Sequence, residues 1–141
     1  MTVLGRLLML SLLVSTAACG NDTPTTPTVV TSSGPYSQTD LVVGTGATAL
    51  ATSTVTVNYA GWLYDTSKTD GKGQQFDARS NQTFPLSNVI AGWQRGVPGM
   101  KVGGQRRLIV PPDLAYGSAG SPPSIPPNAT LVFDIGLLGV Q

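Results

Sequence analysis

Between segments whose apolar residues alternate with a period of two, one short stretch, Val89–Met100 (V-I-A-G-W-Q-R-G-V-P-G-M), is patterned for a helix. Val89 and Trp93 lie four apart and Ile90 and Trp93 three apart, so on a helix they share one face. Ser87 or Asn88 is expected to cap it, and Pro98-Gly99 to stop it within about two turns. A helix that short cannot bury a tryptophan alone. The chain must supply a sheet for it to lie against, and Trp93 then faces either a core or a pocket; spacing alone leaves both open.

The sheet is legible on both sides of this stretch. In Thr54–Tyr64 (T-V-T-V-N-Y-A-G-W-L-Y), Val55, Val57, Tyr59 and Leu63 fall on one face, and Thr54, Thr56, Asn58 and Trp62 on the other. Near the C-terminus, Leu131, Phe133, Ile135 and Leu137 alternate with Thr130, Val132, Asp134 and Gly136. Shorter strands are expected at Leu41–Val43, ended by G-T-G, and at R-R-L-I-V, ended by Pro111-Pro112, with Arg106 and Arg107 marking its exposed start. D-T-S-K-T-D-G-K-G-Q-Q reads as a polar loop leading to Phe76-Asp77. A second, longer loop after Pro112 holds Tyr116, Ile125 and four prolines, and is unusually apolar for a solvated segment. The expected fold class is α+β, an antiparallel sheet with one apolar face and a single short helix packed on it.

The N-terminus reads as an export signal. Met1–Arg6 carries one basic residue, Leu7–Val14 is an apolar run, and small residues lead to Cys19, the pattern of a signal peptide over residues 1–18. The apolar run is well short of the ~20 residues of a membrane-spanning helix. Cys19 is the sole cysteine, so it can form neither an intramolecular disulfide nor a multi-cysteine metal site. Thr16-Ala17-Ala18-Cys19 resembles the lipobox of bacterial lipoproteins, with Thr16 where leucine is usual. That resemblance implies lipidation of Cys19 and a membrane anchor in the bacterial cell envelope, facing the periplasm or the extracellular side. Cleavage beside the alanine pair, leaving a free thiol, is the alternative. Residues 19–35 then form the lipidated cysteine and a Thr/Pro-rich tether, and residues 36–141 one domain.

Composition narrows the chemistry. Loss of the signal removes Arg6 and leaves seven basic against seven acidic residues. Lys101, Arg106 and Arg107 are the densest basic cluster, so no nucleic-acid partner is expected. The chain has no His, no Glu and no second Cys. Ser-His-Asp and Cys-His machinery is thereby excluded, and Asp65, Asp70, Asp77, Asp113 and Asp134 show neither metal-ligand spacing nor a defensible pairing. G-G-Q-R-R lacks the Lys-Ser/Thr of a phosphate-binding loop. What is left is aromatic: Tyr59, Phe76, Phe84, Trp93, Tyr116 and Phe133 exceed the evident needs of one small core. They are either all core or partly the wall of an apolar pocket, with Asp77 and the N–H groups near Ile90 as its polar points.

The runs V-T-V-N-Y-A-G, F-D, V-I-A-G-W, G-M-K-V-G-G-Q-R-R-L-I-V-P-P-D-L-A-Y-G and I-P-P-N-A-T-L-V-F-D-I resemble the FKBP-type peptidyl-prolyl cis-trans isomerases, particularly small bacterial ones. The resemblance covers about Tyr36 to Gln141. It implies a twisted antiparallel sheet wrapped around one short helix, with the active pocket between them. Carried over motif by motif, it implies Trp93 as pocket floor, Tyr59, Phe76 and Phe133 as walls, Asp77 beside them, and the Ile90 N–H and Tyr116 hydroxyl as donors to substrate carbonyls. Val89 and Ile125 follow as substrate-binding residues. Phe84 joins them, although it stands alone where many members have two phenylalanines, in a segment from Phe76 to Val89 shorter than is common. The implied substrates are proline-containing polypeptides, the implied inhibitors macrolides such as rapamycin and tacrolimus, and a monomer without cofactor or metal is expected. A noncatalytic client-binding module on the same fold is the alternative function.

Overall fold

The computed structural model describes residues 35–141. The expected signal peptide, Cys19 and the expected tether up to residue 34 lie outside the described residues. Five strands, β1 (Ser37–Val42), β2 (Thr54–Tyr64), β3 (Lys72–Pro85), β4 (Gln105–Val110) and β5 (Leu131–Val140), form one sheet of order β1-β4-β5-β2-β3, with every neighbouring pair antiparallel. One helix, α1 (Ala91–Gly96), packs on its concave face. The α+β expectation and the twisted sheet with a single short helix are both met. Among the described residues no helix is long and apolar enough to cross a membrane.

The alternating patterns become the core. Val55 and Val57 of β2 and Leu131, Phe133, Ile135 and Leu137 of β5 turn inward, joined by Leu108 and Val110 of β4 and by Trp93, Val97 and Met100 from α1 and its exit. Full burial of each such aliphatic side chain is worth about 1.5–3 kcal/mol relative to exposure. Two glycines let α1 lie close: a Cβ on Gly92 would collide with Val110, and one on Gly96 would come 2.5 Å from Leu108 Cδ2. Glycine weakens a helix by roughly 1 kcal/mol against alanine, and here that loss admits the neighbouring strand.

Several sequence expectations need correction. Neither Ser87 nor Asn88 caps α1; they belong to a 3-10 turn, Leu86–Asn88, and the cap position is Ile90 with no side-chain bond. Val89 and Ile90 are extended, which carries Ser87 and Asn88 too far back to reach the first helical N–H groups. Gln94 ties the turn down instead, donating from Nε2 to Val89 O at 2.9 Å. The polar loop is shorter than expected. Asp65 Oδ1 accepts from the Ser67 N–H and hydroxyl, and the Asp65 N–H meets Gly71 O at 2.9 Å, so the turn closes there and Lys72 already opens β3. β1 starts at Ser37, because an edge strand is held by its ladder to β4 and needs no apolar face.

Arg106 and Arg107 are not an exposed strand start. β4 lies between β1 and β5, and Arg106 is only 8% exposed. Asp40 of β1 pairs with it, while Asp134 of β5 accepts from Arg107 Nε at 2.7 Å and Nη2 at 2.9 Å. Lys72 Nζ reaches the same Asp134 at 2.6 Å and lies 4.2 Å above the Trp62 ring. Burial pushes the Asp134 carboxyl upward, but the bonds from Arg107 and Lys72 outweigh it and hold the group below the usual carboxylate range.

Two stability measurements follow. Gly92→Ala is expected to cost about 1–3 kcal/mol through overpacking against Val110, read as a lower urea midpoint at unchanged m-value; an unchanged midpoint would show that α1 is free to shift. A depressed carboxyl contributes stability above its unfolded value, about 3.9, and loses it as pH falls through the folded value. Asp134→Asn should therefore flatten the acid limb of stability below about pH 5, and an acid limb identical to the parent's would refute the linkage.

Candidate active site

The candidate site is a cavity of about 340 Å³ between α1 and the concave face of the sheet. It is lined by Tyr59, Phe76, Asp77, Phe84, Asn88, Val89, Ile90, Trp93, Tyr116 and Phe133. Every residue carried over by motif from the chain's interior is in that lining except Ile125. Ile125 is buried in the core, where Ser121 and Ile125 exchange backbone bonds within the long loop. It therefore braces the loop that carries Tyr116. Cys19 lies outside the described residues.

The indole of Trp93 is the base of this cavity. Tyr59, Phe84 and Phe133 stand against it at centroid distances of 5.2, 6.2 and 5.5 Å and interplanar angles of 85°, 84° and 90°. Phe76 extends the wall by an edge contact to Phe133 at 5.7 Å. Perpendicular rings of this kind are the favoured arrangement for aromatic quadrupoles. Phe84 packs on both Tyr59 and Trp93, so the single phenylalanine of the short segment stands in the wall. Trp93 is 4% exposed, and its Nε1–H finds no acceptor among the described residues.

How two consecutive residues, Phe76 and Asp77, both reach the cavity is a matter of register. A regular strand sends neighbours to opposite faces. Between the pairs Gly61↔Asp77 and Trp62↔Gln75 the ladder shifts, leaving Phe76 as an extra residue, and such a bulge re-aims side chains. Gly61 opposite it is required as well: a Cβ there would come 2.6 Å from Phe76 Cζ and 3.0 Å from Phe133 Cε1. Sequence reasoning passed over Gly61 and Arg79 and took Asn88 only for a helix cap. The first could have been suspected from a glycine inside a well-patterned strand, while nothing marked the other two as site residues.

One polar chain crosses the rim. The Tyr59 hydroxyl donates to Asp77 Oδ2 at 2.6 Å, and Arg79 Nε lies 3.4 Å from Asp77 Oδ1. Burial, with the Asp77 bond and charge added, pushes the Tyr59 phenol up to about 12. Tyr116, partly exposed at the mouth, is raised by burial and then by the charge of Asp77. Both phenols stay protonated donors across the physiological range. Among the described residues no group of His, Cys, Asp or Glu could hold a metal ion. A second concavity, about 470 Å³, lies on the outer face of the sheet among Asn58, Ala60, Ser80 and Gly136. Of the residues that form the aromatic cavity and its rim, only Tyr59 and Arg79 border it; it lacks the indole and its other walls, so the aromatic cavity is the stronger candidate.

Comparison with known proteins gives a consistent result. The sequence profile of the family described as FKBP-type peptidyl-prolyl cis-trans isomerase matches residues 46–138. FK506-binding protein 4 of Dictyostelium discoideum is 46% identical over 127 residues, covering 89% of this chain but 33% of its own length. A probable FK506-binding protein of Corynebacterium glutamicum is 44% identical over 103 residues, 70% of this chain and 81% of that protein. Among solved structures, a peptidyl-prolyl cis-trans isomerase of Pseudomonas syringae superposes with a TM-score of 0.66 at 37% identity, over 75% of each chain.

The rim makes a spectroscopic prediction. With the Tyr59 phenol raised from 10.0 to about 12, its contribution to stability is complete below pH 10 and disappears as pH rises through the folded value. Asp77→Asn removes the carboxylate's share, so the slowest-titrating phenolate absorbance near 295 nm should move to lower pH. A titration unchanged by the substitution would break the assigned link.

Proposed function

Because the chain belongs to the FKBP-type peptidyl-prolyl cis-trans isomerase family, we propose that it catalyses cis-trans isomerisation of X-Pro bonds in polypeptides. The observation that carries this reading is the box of rings perpendicular to the Trp93 indole, open on one side and lined by no Ser, Thr, Cys, Lys or His. Rotation about a peptide bond is opposed by a barrier of ~18–20 kcal/mol that comes from amide resonance. No bond to carbon has to break, so the missing His, Glu and second Cys are no obstacle.

The proline ring lies on Trp93, between Tyr59, Phe76, Phe84 and Phe133. Dry walls of this kind disfavour the charge-separated planar amide relative to the twisted one, whose resonance is already lost. The Tyr116 hydroxyl, kept protonated by burial and Asp77, donates to a flanking carbonyl. The Ile90 N–H stands at the start of α1, where a helix leaves its N–H groups without intrahelical partners, and donates to a second. Val89 covers the helix side of the ring. FK506-type macrolides and rapamycin compete for this cavity.

The remaining part of the proposal concerns place. The signal pattern and the lipobox-like Thr16–Cys19 support export and anchoring through lipid on Cys19, with residues 20–35 as tether, so that exported polypeptides are the substrates. Incorporation of a palmitate analogue in a bacterial host that is lost in Cys19→Ala is the expected result; equal labelling of both chains would remove the anchor from the proposal.

The isomerase reading is tested by relaxation of an X-Pro peptide, which uncatalysed takes tens to hundreds of seconds. Micromolar protein should shorten this severalfold, rapamycin should abolish the effect, and Trp93→Leu should lower kcat/KM about tenfold, equivalent to ~1.4 kcal/mol. Binding of proline peptides with no acceleration would instead identify a noncatalytic client-binding module.

A further inference from the structure

Helix α1 carries the indole on which the pocket is built, yet no side chain caps its N-terminal end. Its C-terminal end is held through a strand that contributes nothing to the pocket lining. Arg106 Nη1 donates to Gly96 O at 2.8 Å and to Pro98 O at 3.4 Å, where the helix runs out. The same guanidinium meets Asp40 of β1, Nε to Oδ1 at 2.5 Å and Nη2 to Oδ2 at 3.1 Å. Tyr36, directly before β1, adds a second tie. The Arg95 guanidinium of α1 lies 4.7 Å above its ring, and its hydroxyl stands 2.5 Å from where a Cβ on Gly96 would lie.

The physical logic is that of a clamp. The last carbonyls of a helix have no intrahelical partner and carry partial negative charge, so a cation placed there is favoured. Arginine suits the task because its planar fork of N–H donors can face a carboxylate on one side and carbonyls on another. Asp40 compensates a guanidinium that is otherwise nearly buried. Gly96 is three residues beyond Trp93, and the Val97 N–H bonds to Trp93 O at 2.9 Å, so the clamped turn is the one that carries the indole. A helix of six residues has no stiffness apart from such contacts.

We propose that Asp40, Arg106 and Tyr36 are positioning residues for the isomerase site, fixing the orientation of Trp93 from the far side of α1 without touching substrate. The proposal rests on the isomerase reading of the pocket. Its consequence is that β1, the sheet edge next to the N-terminal segment, contributes to activity.

The test uses the full chain and three variants, Asp40→Asn, Arg106→Lys and Tyr36→Leu. Asparagine keeps an acceptor at the more exposed side of the clamp, so it carries the test should Arg106→Lys fail to fold. Two quantities are read: kcat/KM on an X-Pro peptide, and hydrogen exchange of the Trp93 indole N–H against the backbone amides of Leu131 and Val132 in β5. Local release of the clamp predicts a loss of activity of roughly three- to tenfold and indole exchange at least about tenfold faster, with the β5 amides unchanged. Wild-type activity and wild-type indole exchange in the folded variants would overturn the proposal. So would acceleration of the indole and the β5 amides together, since that is global destabilisation. Absence of isomerase activity in the unmodified chain would sink the reading of the pocket, and the exchange data would still decide whether the clamp holds Trp93.

Discussion

Helix α1 is pressed onto β4, and the rest of the structure depends on that contact. Six residues cannot sustain a helix in water, where nucleation costs more than so few hydrogen bonds return. Its existence and its direction both come from the surface it lies on. Gly92 and Gly96 strip one side of the helix to backbone, so Val110 and Leu108 fill the space that side chains would have taken. Trp93 is then directed away from that seam into the space enclosed by β2, β3 and β5, with its indole buried and its neighbours perpendicular to it.

The site follows from this placement. A flat indole floor with rings standing on it makes a small, largely apolar volume, with a polar chain at its rim, where Asp77 accepts from the Tyr59 hydroxyl and pairs with Arg79. The division suits a reaction whose barrier is loss of amide resonance. In the proposed reaction, apolar walls would act on the amide and rim donors on the carbonyls beside it. Charge elsewhere is likewise paired across strands: Asp134 joins Lys72 of β3 to Arg107 of β4, and Asp40 joins β1 to Arg106. Arg106 and Arg107, two of the three basic residues that looked densest in the sequence, are thus turned to internal neighbours.

Much of the fold was legible because it rests on local rules. The alternation in Thr54–Tyr64 and in Leu131–Leu137 anticipated β2 and β5, and the stretch Val89–Met100 anticipated one short helix ended before Pro98-Gly99. Val89 and Ile90, however, precede that helix in extended backbone and share no helical face with Trp93. The identity of the pocket residues came from motif resemblance, and the structure gathers all of them but Ile125 around one cavity. Alternation could not show that Val132 is buried as well, since that depends on what covers the outer face of β5. Nor could it show that Phe76 and Asp77 face the same way, because the bulge that permits it exists only in the pairing of β2 with β3. Arg106 was misjudged for a related reason: whether a residue near the start of a strand is exposed depends on the strands laid beside it.

By itself, the sequence determined the period of each segment, the places where glycine and proline end it, and the chemistry ruled out by the missing His, Glu and second Cys. These depend on the steric and chemical character of residues close together in the chain. Only the tertiary structure decided whether Trp93 served core or pocket, where Phe84 stood, and what held the end of α1. Each of those rests on groups distant in sequence, such as Asp40 and Arg106, separated by 66 positions, or Gly61 and Phe133. Their meeting is set by strand order and register, which no local pattern encodes.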